Sequence, residues 1–431
     1  MAKEQLTRIA LILIDQLRAD YKEYFPLCSK ILPYSAICDT NSIPTSTEAM
    51  HANISTGKYP KDHGLISKSK RKIGKGELEL LVDKFMSKEL TPLSSLAFKE
   101  GYDVICICGK PELASVLGLP AEYALIIQPD PKTDELVING TNVELKQKIR
   151  VFTNLNNYAK LPRDRLPDGT RNRALLNIFK YILGVDTVGS KFLSVLALPS
   201  LDAIGHKYGP SSKEIIAHIH FLDENIAELM LRNERTLFIL AGDHGCRKTQ
   251  RYVIESREDD ARFVTIYHME EGVYKNKGCI KFDSEDDFQD ICYDGGMLRI
   301  WFKNNLAILS EQDAQLLTKY GTIIDLRLKQ NENKQLPLEV LDNSRHDNLG
   351  DIIVVSNKDA TFCKRTWLDP ELIERKILKN QDLKEDELPI GEHGTYYAED
   401  RHTLFMSNYD FGKNIFLNLQ IREELEKLMS Q

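Results

Sequence analysis

Four stretches of the chain are apolar without alternation, and each closes on polar residues. "RIALILID" ends at Asp15, "YDVICICGK" at Lys110, "KFLSVLALPSLD" near Asp202, and "RTLFILAGDHG" runs past Asp243. A strand with one wet face alternates apolar and polar positions. An unbroken apolar run is covered on both faces, as in a parallel sheet between helical layers. Helical periodicity lies between these runs, in "PELASVLG" with Pro111 in a first-turn position, in "RNRALLNIFKYILG" and in "SSKEIIAHIHFLDENIAELMLRN". The alternation predicts a three-layer α/β/α fold with a mostly parallel central sheet. In such sheets ligands bind beyond the carboxyl ends of the strands, where Asp15, Lys110, Asp202 and Asp243 fall.

From about residue 250 the pattern loosens. Acidic clusters appear ("ESREDDAR", "DSEDDFQD"), and the segment contains one clear strand, "DNLGDIIVVSN". This predicts a core built from residues 1–249 and 386–431, with 250–385 inserted as a smaller cap. The core closes on an amphipathic helix, "REELEKLMSQ". The basic run "SKSKRKIGK" (68–76) reads as a solvated loop.

Composition narrows the partners. With 57 basic and 64 acidic residues the net charge is −7, which argues against a long nucleic-acid surface but leaves room for a small charged ligand. No apolar run approaches the roughly 20 residues that span a bilayer, so no membrane partner is expected. "MAKEQLTRIALILIDQ" reads as a strand entry, not a signal peptide. The eight cysteines are scattered without a CxxC pair, the pattern of reduced thiols and a cytoplasmic location.

Three of the ten histidines stand in unusual company. His206 lies four residues after Asp202 in "LDAIGHKYGP", His244 follows Asp243 in "GDHG", and His393 sits in "GEHG". Carboxylate oxygen and imidazole nitrogen together are natural zinc donors. His218 and His220 are two apart on a helical pattern, so they point to different faces and suit packing or surface roles. The stretch "IPTSTEAMHANISTGKYPKDHG" crowds three hydroxyls at a helix start, where Thr45 and Glu48 have capping-box spacing.

The order "LILIDQLRADY", "PTSTEAMHANISTGKYPKDHGLI", "LDAIGHKYGP", "AGDHG", "GEHG" resembles the alkaline phosphatase superfamily, and within it the type I phosphodiesterase/nucleotide pyrophosphatase branch. The motifs extend from residue 9 to about 406. The resemblance implies two divalent metal ions, most simply Zn²⁺. Asp15, Asp243 and His244 would hold one, with the nucleophile as a further ligand; Asp202, His206 and His393 would hold the second. It places the nucleophile nine residues before the Thr of Thr56-Gly57, at Thr47, leaving Thr45 free to cap the helix. It implies hydrolysis of a phosphodiester or pyrophosphate bond in a small phosphorylated substrate, such as a nucleotide, through a phospho-threonine intermediate.

Departures from the branch bear on the substrate. Met50 stands where an Asn contacts a phosphate oxygen, and "HA" at 51–52 resembles a pattern of Thr-dependent monoesterases. Lys110 falls where those enzymes place a phosphate-gripping Lys, but Glu112 occupies the approximate place of their Arg. A phosphomonoesterase on the same scaffold is therefore the alternative, with a phosphomutase or an inactive binding module behind it. Sulfatase chemistry lacks its Cys or Ser. Gln16 replaces a Gly after the first metal Asp, and His63 reads as structural support.

Overall fold

The computed structural model describes residues 7–67, 69–71, 78–80, 90–117, 124–140, 142–162, 168–184, 191–258, 261–281, 288–304, 308–328, 336–363, 381–384 and 388–430. Its centre is a nine-stranded sheet whose strands are numbered in chain order: β1 (Arg8–Ile14), β2 (Tyr34–Asp39), β3 (Asp103–Cys108), β4 (Leu125–Pro129), β5 (Leu136–Asn139), β6 (Phe192–Leu198), β7 (Leu237–Gly242), β8 (His402–Ser407) and β9 (Ile415–Leu417). The spatial order is β9-β2-β8-β7-β1-β6-β3-β4-β5. All pairings are parallel except those of β8 with its two neighbours and of β5 with β4.

The unbroken apolar runs are explained by two-sided burial. Ala10, Ile12 and Ile14 of β1 pack into one core with Leu145, Ile149, Leu175, Ile178, Ile215 and Leu222. Ile9, Leu11 and Leu13 face the opposite core with Ile54, Leu93, Leu113, Ile421 and Leu425. The helices over the first face include Thr170–Leu183 and Lys213–Leu231; those over the second include α1 (Thr47–Thr56), Pro111–Leu117 and Gln420–Met429. The three-layer α/β/α fold is as the hydrophobic pattern predicts.

Between Arg251 and Lys384 the strands build two smaller sheets, one of five strands and one of four, separate from the central sheet. The predicted strand is Ile352–Ser356 in the four-stranded sheet. Its alternation shows where that sheet lies. Ile352 and Val354 face a core shared with Val253 and Ile266 of the five-stranded sheet, whereas Ile353 and Val355 pack with Ile43 and Ile66, which flank α1. The run 68–76 lies outside the described residues except for Ser69–Arg71, which pairs with Leu78–Leu80. Among the described residues, no helix is long and apolar enough to cross a membrane.

Candidate metal centre

Every motif residue from the sequence arrives at the carboxyl edge of the central sheet. Asp15 follows β1, Lys110 follows β3, and Asp243 and His244 follow β7. Asp202 lies past β6 in the first turn of the helix Ser200–Tyr208, so the four-residue spacing to His206 is one helical turn and sets His206 Nε2 3.1 Å from Asp202 Oδ1. His393 enters from the loop before β8, with Nε2 3.6 Å from the same oxygen. His244 Nε2 is 3.2 Å from Asp15 Oδ1 and 3.6 Å from Asp243 Oδ2, and its ring stacks on His393 at 3.8 Å.

The three imidazoles share one arrangement. Nδ1 of His206 donates to the Gly391 carbonyl (2.7 Å), Nδ1 of His244 to Gly245 (2.9 Å) and Nδ1 of His393 to Thr45 (2.8 Å). With Nδ1–H committed to backbone oxygen, the free lone pair of each ring is at Nε2, and each Nε2 faces carboxylate. This is how ligating histidines are oriented. Asp15, Asp243 and His244 offer donor atoms all within 4.8 Å of one another, and so do Asp202, His244 and His393. Asp243 Oδ1 accepts from the backbone N–H of Gln16 (3.0 Å) and of His244 (2.8 Å), while the buried Oδ2 accepts no hydrogen bond among the described residues and faces the His51 and His244 rings at 3.3 and 3.6 Å. An unsatisfied carboxylate oxygen beside an imidazole lone pair fits a hard or borderline divalent cation.

The electrostatics match that reading. Burial, followed by the charges of Asp202 and Asp243, pushes the Asp15 carboxyl above its ordinary range. Burial opposes ionisation of Asp202 too, yet Lys110 and His206 hold it well below the usual carboxylate range. Burial disfavours the cationic imidazoles, but Asp202 and Glu392 push His206 up to about 9, and Asp243 and Asp15 push His244 up to about 10. His393 goes the other way, held well below its ordinary value by burial and by the charge of His244. The cluster binds protons at His206 and His244 where it could bind metal.

Thr47 opens α1 and points into this cluster. Its Oγ1 lies 3.2 Å from His244 Nε2, 3.5 Å from Asp15 Oδ1 and 3.3 Å from Lys110 Nζ. The expected capping box is not formed. The N-cap is Ser46, one residue later than Thr45–Glu48 spacing requires, and it makes no side-chain cap. Ser46 Oγ donates to Ile66 O (2.8 Å), and Thr45 Oγ1 accepts from Gly394 N (2.9 Å) and donates to Thr395 O (3.1 Å). Thr45 thus braces the His393 loop, and neither Thr45 nor Ser46 caps the first turn of α1.

Lys110 reaches the centre of the site, with Nζ 2.5 Å from Asp15 Oδ2 and 3.2 Å from Asp202 Oδ2. Burial works against its charge, and Asp15 and Asp202 outweigh it, holding the ammonium well above its usual range. The turn that presents it is fixed by the buried Arg171, whose Nη1 donates to Gly109 O (2.6 Å). Met50 is buried with its sulfur against the Asn418 side-chain amide (3.5 Å), so it brings no donor to the cluster. His63 accepts from Leu65 N (3.0 Å) and bonds Asn53 (2.8 Å), a supporting role. His218 is buried against Asn172 (3.0 Å), and His220 packs edge-on against Tyr24.

Two neighbours carry no metal-ligand signature in sequence. His51, one turn after Thr47, has Nδ1 2.7 Å from Thr47 O and 3.3 Å from Asp243 Oδ2. Gln16 is fully buried among the carboxylates. The i, i+4 spacing of Thr47 and His51 was available as a signal; nothing local marks Gln16.

An α/β sandwich with Asp and His donors gathered at the carboxyl edge of its sheet around a threonine defines a metal-dependent phosphohydrolase of the alkaline phosphatase type. Residues 9–395 match the family model described as type I phosphodiesterase / nucleotide pyrophosphatase, and the chain belongs to that family. No curated protein is detectably similar in sequence. Among solved structures, phosphonoacetate hydrolase from Sinorhizobium meliloti 1021 with phosphonoformate aligns at TM-score 0.66 and 15% identity, covering 99% of this chain and 96% of that one. Murine ectonucleotide pyrophosphatase/phosphodiesterase 5 in complex with AMP aligns at TM-score 0.58 and 14% identity, covering 98% and 95%. The human counterpart aligns at 0.58 and 14%, with the same coverage. At such identities the likeness is one of fold.

Proposed function

We propose that the protein cleaves phosphodiester or pyrophosphate bonds in small, nucleotide-type molecules, with Thr47 as nucleophile and two divalent metal ions, most simply Zn²⁺. The observation that carries this reading is the common orientation of His206, His244 and His393, each with Nδ1 tied to backbone and Nε2 turned to carboxylate. Asp15, Asp243 and His244, with Thr47, would hold one ion; Asp202, His206 and His393 would hold the other. When bound, the ions lower the pKa of the attacking hydroxyl and neutralise charge on the phosphoryl oxygens.

The chain's own groups do the rest. Thr47 Oγ1 loses its proton and bonds to phosphorus as the bond to the leaving oxygen breaks, giving a phosphoryl ester on Thr47 and a leaving group that takes up the proton. The uncapped first turn of α1 offers its N–H groups to the non-bridging oxygens. Lys110, 3.3 Å from Thr47 Oγ1, leaves its carboxylates to neutralise one of those oxygens. Water then cleaves the ester and restores the hydroxyl. Residues 250–385 form the cap over this edge, and the core is 1–249 with 386–431.

Thr47→Ala should lower turnover by about 10⁴-fold while metal content is unchanged; wild-type rates in this variant would refute the assignment. Lys110→Met should lower kcat/KM by roughly 10²- to 10³-fold. A specific observation favours the second reading, a phosphomonoesterase: Met50 supplies no phosphate donor, and Lys110 supplies a cation suited to a dianionic group. Parallel turnover of bis-(p-nitrophenyl) phosphate and p-nitrophenyl phosphate with added zinc decides between them. The diester is expected to be preferred; strong preference for the monoester would establish the alternative.

A further inference from the structure

We propose that Gln16 is a positioning residue that aims the Asp202 carboxylate at its cation and ties the two halves of the centre together; this rests on the two-ion reading above. Gln16 has a left-handed backbone, with φ of 67°. Glycine adopts that conformation freely, whereas a side chain pays for it, and such residues persist where their surroundings over-determine them. Here the backbone N–H donates to Asp243 Oδ1 (3.0 Å) and the side-chain Nε2 donates to Asp202 Oδ1 (3.3 Å). One residue therefore touches the carboxylate of each ion's donor set.

The other groups near Asp202 are His206 Nε2, His393 Nε2 and Lys110 Nζ. The two imidazoles are themselves donors to the ion, and Lys110 is the group that turns to the substrate. Gln16 is left as the fixed donor that sets the direction of Oδ1. A second observation supports a built pairing. The Gln16 carboxamide lies directly over the Cα of Gly205, so that a Cβ there would come 1.7 Å from Gln16 Oε1, and its three nearest atoms all belong to Gln16. Gly205 has no left-handed φ and sits inside a helix, so the nearest obstacle to a side chain there is Gln16. Oε1 accepts no hydrogen bond among the described residues, so the amide is held by the donor at its other end. The replacement of Gly by Gln after Asp15, a minor change in sequence, is a contact at the heart of the site.

The test is zinc affinity, measured by competition with a chromophoric chelator, alongside the metal-free Tm. Q16M keeps the length of the side chain but removes the amide. It should weaken one zinc by roughly 10- to 100-fold with the metal-free Tm within a few degrees of wild type. G205A should weaken the same ion by displacing the amide, yet should have no further effect in the Q16G background, where the obstructing side chain is gone. Wild-type zinc affinity in Q16M, or an equal effect of G205A in both backgrounds, overturns the role of Gln16. A wild-type protein that binds no zinc would contradict the two-ion reading itself, and Gln16's role with it, before any variant is compared.

Discussion

His206 and His244 each hold a proton at the place where the proposed ions bind. The folded protein raises them to about 9 and about 10, burial opposing and the neighbouring carboxylates prevailing. Since these values lie above the unfolded imidazole, the pairs stabilise the metal-free protein fully below about pH 6.5. That contribution is lost as pH rises through 9 and 10. Zinc must displace the same protons, so its apparent affinity should climb with pH over this window. Calorimetric zinc titrations at pH 7 in buffers of different ionisation heat should show proton release that shrinks as pH approaches 9. Zinc binding without proton release at pH 7 would contradict the placement of these two rings. His51, with Nδ1 facing both Thr47 O and Asp243 Oδ2, joins the first turn of α1 to the Asp243 carboxylate.

At the scale of elements, the site depends on how the loop carrying His393 is fastened. Arg247, buried, donates Nη1 to Asp400 Oδ2 (2.9 Å) and Nη2 to Ser356 Oγ (2.8 Å) and Ala360 O (2.7 Å), while its Nε donates to Lys358 O (2.9 Å). It thereby fastens the smaller sheets to the segment before β8, where Asp400 also accepts from Thr395 N (3.0 Å). Arg247→Met leaves Asp400 buried without its cation and should cost about 3–5 kcal/mol in urea unfolding. A loss under about 1 kcal/mol would show that the clamp is not structural. His218 sets an acid limit on the helix Lys213–Leu231, because burial and then Arg173 lower it to about 4. A depressed imidazole contributes stability above about pH 6.5 and loses it as pH falls through 4, on the order of 3 kcal/mol. His218→Gln should flatten the fall in urea midpoint between pH 7 and pH 4; an unchanged slope would place the acid sensitivity elsewhere.

The strands that carry ligands were legible because each is buried on both faces and so writes an unbroken apolar run. β2 and β8 are less so: β2, near the sheet's edge, mixes exposed and buried positions, and β8 begins eight residues after "GEHG", where the motif draws attention from the strand. That the Asp and His residues gather at one edge is legible through their strand ends, neighbouring glycines and motif order, and the place of Lys110 through its strand end and the monoesterase pattern. The cap of α1 does not follow its local spacing: Thr45 and Glu48 have the right interval, but Thr45 is drawn to Gly394 and Thr395, contacts 349 and 350 residues away. Gln16, Arg247 and the brace of Thr45 depend on such long-range contacts, which no local pattern encodes.

For the whole molecule, two-sided burial of the sheet makes its carboxyl edge a rigid frame, and the smaller sheets pack by Ile353 and Val355 against Ile43 and Ile66 beside α1. In the proposed reaction the phosphoryl group passes through Thr47. Acid quenching during turnover of bis-(p-nitrophenyl) phosphate with zinc, followed by peptide mass spectrometry, tests it directly. A phosphoryl-ester adduct on Thr47 is expected to form within the first turnover and to be absent from Thr47→Ala. Steady hydrolysis with no adduct on Thr47, together with undiminished activity in Thr47→Ala, would contradict it.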